Sequence, residues 1–130
     1  MNPEIFGKKV LIVEDDQDTR ALLHAHVKRA GYAPVEACDA EDGLKKLKEW
    51  EPDVVILDIM MPGIDGWYVL KKIKTGLRKR VIPVVVLTGR DSNEDRLKGY
   101  KLGADFYLTK PCNMKQLLSV LERLLLEYSD

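Results

Sequence analysis

Four acidic residues, two threonines and a lysine stand where short apolar runs of this chain end. Val10-Leu11-Ile12-Val13 runs into Glu14-Asp15-Asp16, and Val54-Val55-Ile56-Leu57 into Asp58, which Ile59-Met60-Met61-Pro62-Gly63 follows. Pro83-Val84-Val85-Val86-Leu87 ends in Thr88-Gly89, and Phe106-Tyr107-Leu108 in Thr109-Lys110-Pro111. Adjacent carboxylates repel one another unless a cation lies among them. Oxygen ligands with no His or Cys nearby suit Mg²⁺ or Mn²⁺ rather than zinc, and Mg²⁺ usually completes its shell with waters and phosphate oxygens. Phosphoryl transfer to a carboxylate needs a nucleophile, a metal, and a cation and hydroxyl around the phosphoryl oxygens. Asp58, the acidic run, Lys110 and Thr88 supply one candidate for each part.

Such residues, spread over nearly a hundred positions, meet only if the elements bring them together. The apolar runs read as buried strands, with a weaker one at Ala33 to Ala37. Segments of helical period lie between them: about Asp18 to Ala30, Ala40 to Trp50, Gly66 to Lys74, Asn93 to Leu102 and Met114 to Tyr128. Gly31, Pro52 and Gly103 punctuate the series. Alternating strand and helix predicts an α/β domain of the (βα)5 type, with a parallel sheet and helices on both faces. The near-continuous apolar strands agree, because parallel strands are covered on both sides. All strand ends then lie on one edge, where open α/β sheets bind ligands.

At 130 residues the chain fits one domain over residues 1–130. Lys+Arg and Asp+Glu both number 21, so no global field favours nucleic acid or a membrane surface. No apolar stretch suits a membrane span, and Cys38 and Cys112 lack metal-ligand spacing. A cytoplasmic chain with reduced thiols is the expectation.

Each residue also has a plain reading. Asp16 or Asp18 caps the first helix, Asp58 is a turn acid before Pro-Gly, Thr88 ends a strand, and Lys110 is a surface lysine. Their joint occurrence at four strand ends favours chemistry.

Four segments carry a resemblance over essentially the whole chain: residues 10–16, 57–66, 85–89 and Gly103-Ala104-Asp105-Phe106-Tyr107-Leu108-Thr109-Lys110-Pro111. The chain resembles a response-regulator receiver domain of two-component signalling with no output domain in this chain, which reads as the stand-alone type or as a domain cut from a larger protein. The resemblance implies a flavodoxin-like sheet in the order 2-1-3-4-5. It implies that Asp58 accepts a phosphoryl group from a histidine kinase or histidine phosphotransfer protein, and that a downstream protein reads the result. Mg²⁺, with Mn²⁺ as an alternative, would be held by Asp15, Asp58, the Met60 backbone carbonyl and, through water, Glu14. Lys110 would pair with a phosphoryl oxygen, ahead of a cis Lys110-Pro111 bond. Thr88 would move toward the phosphoryl group while Tyr107 changes rotamer, altering the face of the fourth helix, fifth strand and fifth helix.

Cys112 and Gly89 depart from the commonest family residues at positions away from this chemistry. Met60 and Arg90 stand where side chains tune phosphoryl lifetime, and they predict slow self-dephosphorylation. Six basic residues in ten, from Lys71 to Arg80, read as a solvated helix end or as a surface for an acidic partner. A Mg²⁺-dependent phosphohydrolase would carry a second acid where Met60 stands. A nucleotide-binding module would need a Gly-rich loop after the first strand. A docking module not regulated by phosphorylation is the remaining alternative.

Overall fold

Capping side chains and tight glycines determine where each strand delivers its last residue. The computed structural model describes residues 2–76 and 81–129. Its elements alternate as β1 (Lys9–Val13), α1 (Gln17–Arg29), β2 (Ala33–Ala37), α2 (Ala40–Trp50), β3 (Val54–Leu57), α3 (Gly66–Thr75), β4 (Val84–Thr88), α4 (Asn93–Lys101), β5 (Phe106–Thr109) and α5 (Met114–Glu127). Every helix opens on an oxygen-bearing cap, in order Asp16, Asp39, Asp65, Ser92 and Asn113. Each such cap is worth about 0.5–2 kcal/mol.

Asp16 resolves the choice of cap for α1. Its Oδ2 accepts from the Thr19 N–H at 2.8 Å and the Thr19 hydroxyl at 2.6 Å. Those bonds hold its carboxyl below the ordinary aspartate range. The helix therefore starts at Gln17, one residue before Asp18. Two strands end one residue later than expected: Thr88 and Thr109 lie inside β4 and β5, paired with each other in register. Threonine is β-branched and suits a strand, so the polar residue marks the end of the apolar run rather than the end of the strand.

All five strands are parallel, in the order β2-β1-β3-β4-β5. Alternate strand residues feed two cores. Leu11, Val13, Val55, Leu57, Val84 and Val86 pack with α2 and α3, while Val10, Ile12, Val54, Ile56, Val85 and Leu87 pack with α1 and α5. A fully buried Val, Leu or Ile contributes about 1.5–3 kcal/mol, so the sheet is fixed from both sides. Gly66 lets α3 start directly against the residue after Asp58, since a Cβ there would lie 2.3 Å from the Ile59 Cα. No helix among the described residues is long and apolar enough to cross a membrane.

Within the basic run, Lys71, Lys72 and Lys74 lie in α3. Lys74 Nζ is tied to Asp105 Oδ2 at 2.9 Å and to the Ile82 carbonyl at 3.0 Å. Arg78, Lys79 and Arg80 lie outside the described residues.

Candidate functional site

Strand register puts the first two carboxylates side by side. Val13 pairs with Leu57, so Glu14 and Asp58 are the next residues of neighbouring strands. The pairing runs one step further, because the Asp58 N–H donates to the Val13 carbonyl at 3.0 Å and the Glu14 N–H to the Ala37 carbonyl at 3.1 Å. Order β2-β1-β3 makes this the place where the chain's winding reverses, and ligands bind at such switch points. Glu14 is 2% exposed and Asp58 4%; burial this deep demands a counter-charge.

Lys110 provides it. Its Nζ lies 2.5 Å from Glu14 Oε1 and 2.7 Å from Asp58 Oδ2. The remaining oxygens are also bonded, Asp58 Oδ1 by the Met60 N–H at 2.8 Å and Glu14 Oε2 by the Asp16 N–H at 3.1 Å. Lys110 follows β5, and its own N–H donates to the Thr88 carbonyl at 2.8 Å. The Lys110-Pro111 bond is cis. Burial opposes the Lys110 ammonium, but its bonds to Asp58 and Glu14 outweigh it and raise its pKa. Glu14 also rises: burial dominates, the Asp58 charge adds to it, and the bonds from Lys110 and Asp16 only partly compensate. Both shifts follow from geometry, since Glu14 is the more deeply buried partner and gains less from water.

Asp15 is exposed at the mouth of the pocket. One carboxylate oxygen from each of Glu14, Asp15 and Asp58 lies within 4.8 Å of the others. An all-oxygen donor set of this spacing fits a hard divalent cation. These three residues are the only group of that kind among the described residues.

Thr88 and Tyr107 are brought together by a residue whose backbone carries no sequence signal. Thr88 is fully buried, and its Oγ1 accepts only a long 3.4 Å contact from the Arg90 N–H among the described bonds. Tyr107 is 2% exposed, with its hydroxyl donating to the Arg90 carbonyl at 2.8 Å. Arg90 thus links the two through its N–H and its C=O. Burial pushes the Tyr107 phenol up to about 12. Met60 places its side chain at the rim, half exposed.

The arrangement defines a class: a doubly wound α/β domain whose strand-end acidic pocket is closed by one ammonium. Residues 10–122 match the response regulator receiver domain, and the chain belongs to that family. Receiver domains are regulatory modules of phosphorylation-controlled signalling, which interact with kinases and downstream effectors. The chain is 37% identical over 110 residues to the alkaline phosphatase synthesis transcriptional regulatory protein PhoP of Bacillus subtilis, covering 85% of the chain and 45% of that protein. It is 39% identical over 113 residues to the phosphate regulon transcriptional regulatory protein PhoB of Escherichia coli, covering 87% and 49%. The chain therefore spans about half the length of these curated relatives. The receiver domain of Francisella response regulator 1452 superposes with a TM-score of 0.86 at 30% identity, covering 93% of the chain and 98% of that domain.

Proposed function

We propose that Asp58 is the phosphoryl acceptor of a signalling switch, supplied by a phosphohistidine of a histidine kinase or phosphotransfer protein. One observation carries the reading: a single half-buried ammonium, Lys110, bridges buried Asp58 and Glu14 at the switch point of the sheet. In the reaction an Asp58 oxygen attacks phosphorus, the P–N bond breaks, and the leaving imidazole keeps the electron pair. The product is an acyl phosphate.

Asp15, Asp58 and the Met60 carbonyl would hold Mg²⁺ or Mn²⁺, with Glu14 acting through water. The cation offsets negative charge on the transferring group. Lys110 already contacts the acceptor and would follow the new charge. Thr88, weakly held at Oγ1, is free to turn its hydroxyl toward a phosphoryl oxygen. That movement removes its contact with the Arg90 N–H, and the Arg90 carbonyl that anchors Tyr107 shifts with it. Tyr107 then leaves its buried rotamer, and the α4-β5-α5 face changes for a downstream protein. Two free thiols, Cys38 and Cys112, suit a reducing cytoplasmic setting for this exchange.

The test is acetyl phosphate or beryllofluoride with Mg²⁺, read by intact mass and by NMR. The expected result is one Mg²⁺-dependent adduct, absent in Asp58→Asn. No adduct leaves a docking module without phosphorylation control, and an adduct that survives Asp58→Asn removes Asp58 as the acceptor.

A further inference from the structure

The acidic pair leaves β1 on a turn, and a side chain from α1 reaches back to hold it. Arg20 Nη1 donates to the Glu14 carbonyl at 2.8 Å and to the Asp15 carbonyl at 3.3 Å. Its Nε donates to Glu36 Oε1 at 3.0 Å. Glu36 belongs to β2, opposite Ile12, and Lys46 of α2 donates to its backbone carbonyl. The second Glu36 oxygen lies 2.9 Å from His24 Nδ1, near enough for charge pairing but not aligned as a hydrogen bond. The guanidinium is a rigid planar fork, so orienting its Nε also aims Nη1. Two carbonyls are therefore fixed from a different strand, and with them the backbone that directs the Glu14 and Asp15 carboxylates.

We propose that Arg20, aimed by Glu36, is a positioning residue that sets divalent-cation affinity at the Glu14, Asp15 and Asp58 carboxylates. The inference rests on the metal-site reading above. Neither Arg20 nor Glu36 offers an atom to the cation. A purely electrostatic role would have the opposite sign, because a guanidinium near a cation site repels the cation. Geometry and charge thus predict opposite effects of removing Arg20.

Binding is measured with Mn²⁺ by loss of the free-ion EPR signal, on protein whose folding is checked by near-UV CD and urea unfolding. Partners that orient metal ligands typically account for 10- to 100-fold in affinity. Arg20→Met is expected to raise the Mn²⁺ Kd about tenfold or more. Arg20→Lys keeps the charge but loses the fork, and is expected to weaken binding similarly. Glu36→Gln retains an acceptor for Nε and should weaken it less. If either Arg20 variant is folded and binds Mn²⁺ within about twofold of the parent, far below the effect of losing an orienting partner, the proposal is overturned even if stability has dropped. Tighter binding by Arg20→Met overturns it in favour of simple charge repulsion. If the parent chain binds Mn²⁺ no better than Asp15→Asn, the metal site itself fails, and the proposal with it.

Discussion

Replacing Lys110 by methionine keeps the aliphatic stem, removes the ammonium, and leaves two buried carboxylates facing each other. Glu14 and Asp58 are 2% and 4% exposed, and the Lys110 Nζ lies 2.5 and 2.7 Å from them. Breaking a buried ion pair from one side costs about 3–5 kcal/mol. The chain has one escape, which is to take up a proton. Glu14 is the group prepared for it, since burial already raises its pKa above the ordinary 4.5. Neutralising a carboxyl of ordinary pKa 4.5 at pH 7 costs about 3.4 kcal/mol, at 1.36 kcal/mol per pH unit. That figure caps the loss from Glu14. Lys110 is itself 29% exposed, so water screens part of the pairing and the loss should fall near 2–3 kcal/mol. Urea unfolding of Lys110→Met at pH 7 should show a midpoint lower by about 1–1.5 M at an unchanged slope of about 2 kcal/mol/M. A carboxyl with a raised folded-state pKa binds its proton more tightly when folded, so stability is lost as pH rises above 4.5. The deficit should therefore shrink at pH 5, where the same ceiling is about 0.7 kcal/mol. The double variant Lys110→Met/Glu14→Gln should regain most of the loss. A single variant as stable as the parent at pH 7, or equally destabilised at both pH values, would refute this account of the pocket.

A Cβ at Gly99 would lie 2.7 Å from Tyr107 Cδ2. Gly99→Ala should push the ring from its site and break its bond to the Arg90 carbonyl, at a cost of about 1 kcal/mol for the bond. Unchanged Tyr107 ring resonances in NMR would argue against it. Tyr128 is held up to about 12, chiefly because its hydroxyl bonds to Asp105. Asp105→Asn should return it toward 10 in an ultraviolet titration. The folded phenol keeps its proton longer, so the parent loses stability between pH 10 and about 12; the variant should lose less there. The Asp58 phosphoryl group should outlast donor removal by minutes, with Met60 at the rim impeding water. A decay within seconds in rapid-quench measurements would contradict that role.

The strands were readable because apolar runs of valine, leucine and isoleucine have few other uses, and because parallel topology collects their ends. That reasoning brought Glu14, Asp15, Asp58 and Lys110 to one pocket, where the structure places them together. Other features carry no residue-type signal. Arg90 links Thr88 to Tyr107 through its N–H and carbonyl, and any residue has those groups. Arg20 and Glu36 lie 16 positions apart, and each reads as an ordinary solvated charge until register brings β2 beside β1. Asp16 and Asp18 both suit a cap by residue type, and the family resemblance, which leaves Asp16 outside the acidic pair, favours Asp16 as the helix start. The structure bears that out, with the Thr19 N–H and hydroxyl both donating to Asp16.

Charge balance explains why one lysine does not neutralise the pocket even before the proposed phosphorylation. Three carboxylates against one ammonium leave the ionised pocket with an excess of two negative charges, held down by burial of Glu14 and by solvent around exposed Asp15. A divalent cation matches that excess, which is why the donor set favours one. An added phosphoryl group restores a surplus of negative oxygen at Asp58, and every donor within reach is drawn toward it. Lys110 is already committed to Asp58 and Glu14, whereas Thr88 has only its 3.4 Å contact to lose. The least-held donor yields first. On the proposed mechanism its release would pass through Arg90, because the same residue's carbonyl accepts from the Tyr107 hydroxyl at 2.8 Å. On this reading the switch is a choice of Thr88 orientation, between accepting from the Arg90 N–H and donating to a phosphoryl oxygen, and its output is set by the single backbone residue that links Thr88 to Tyr107.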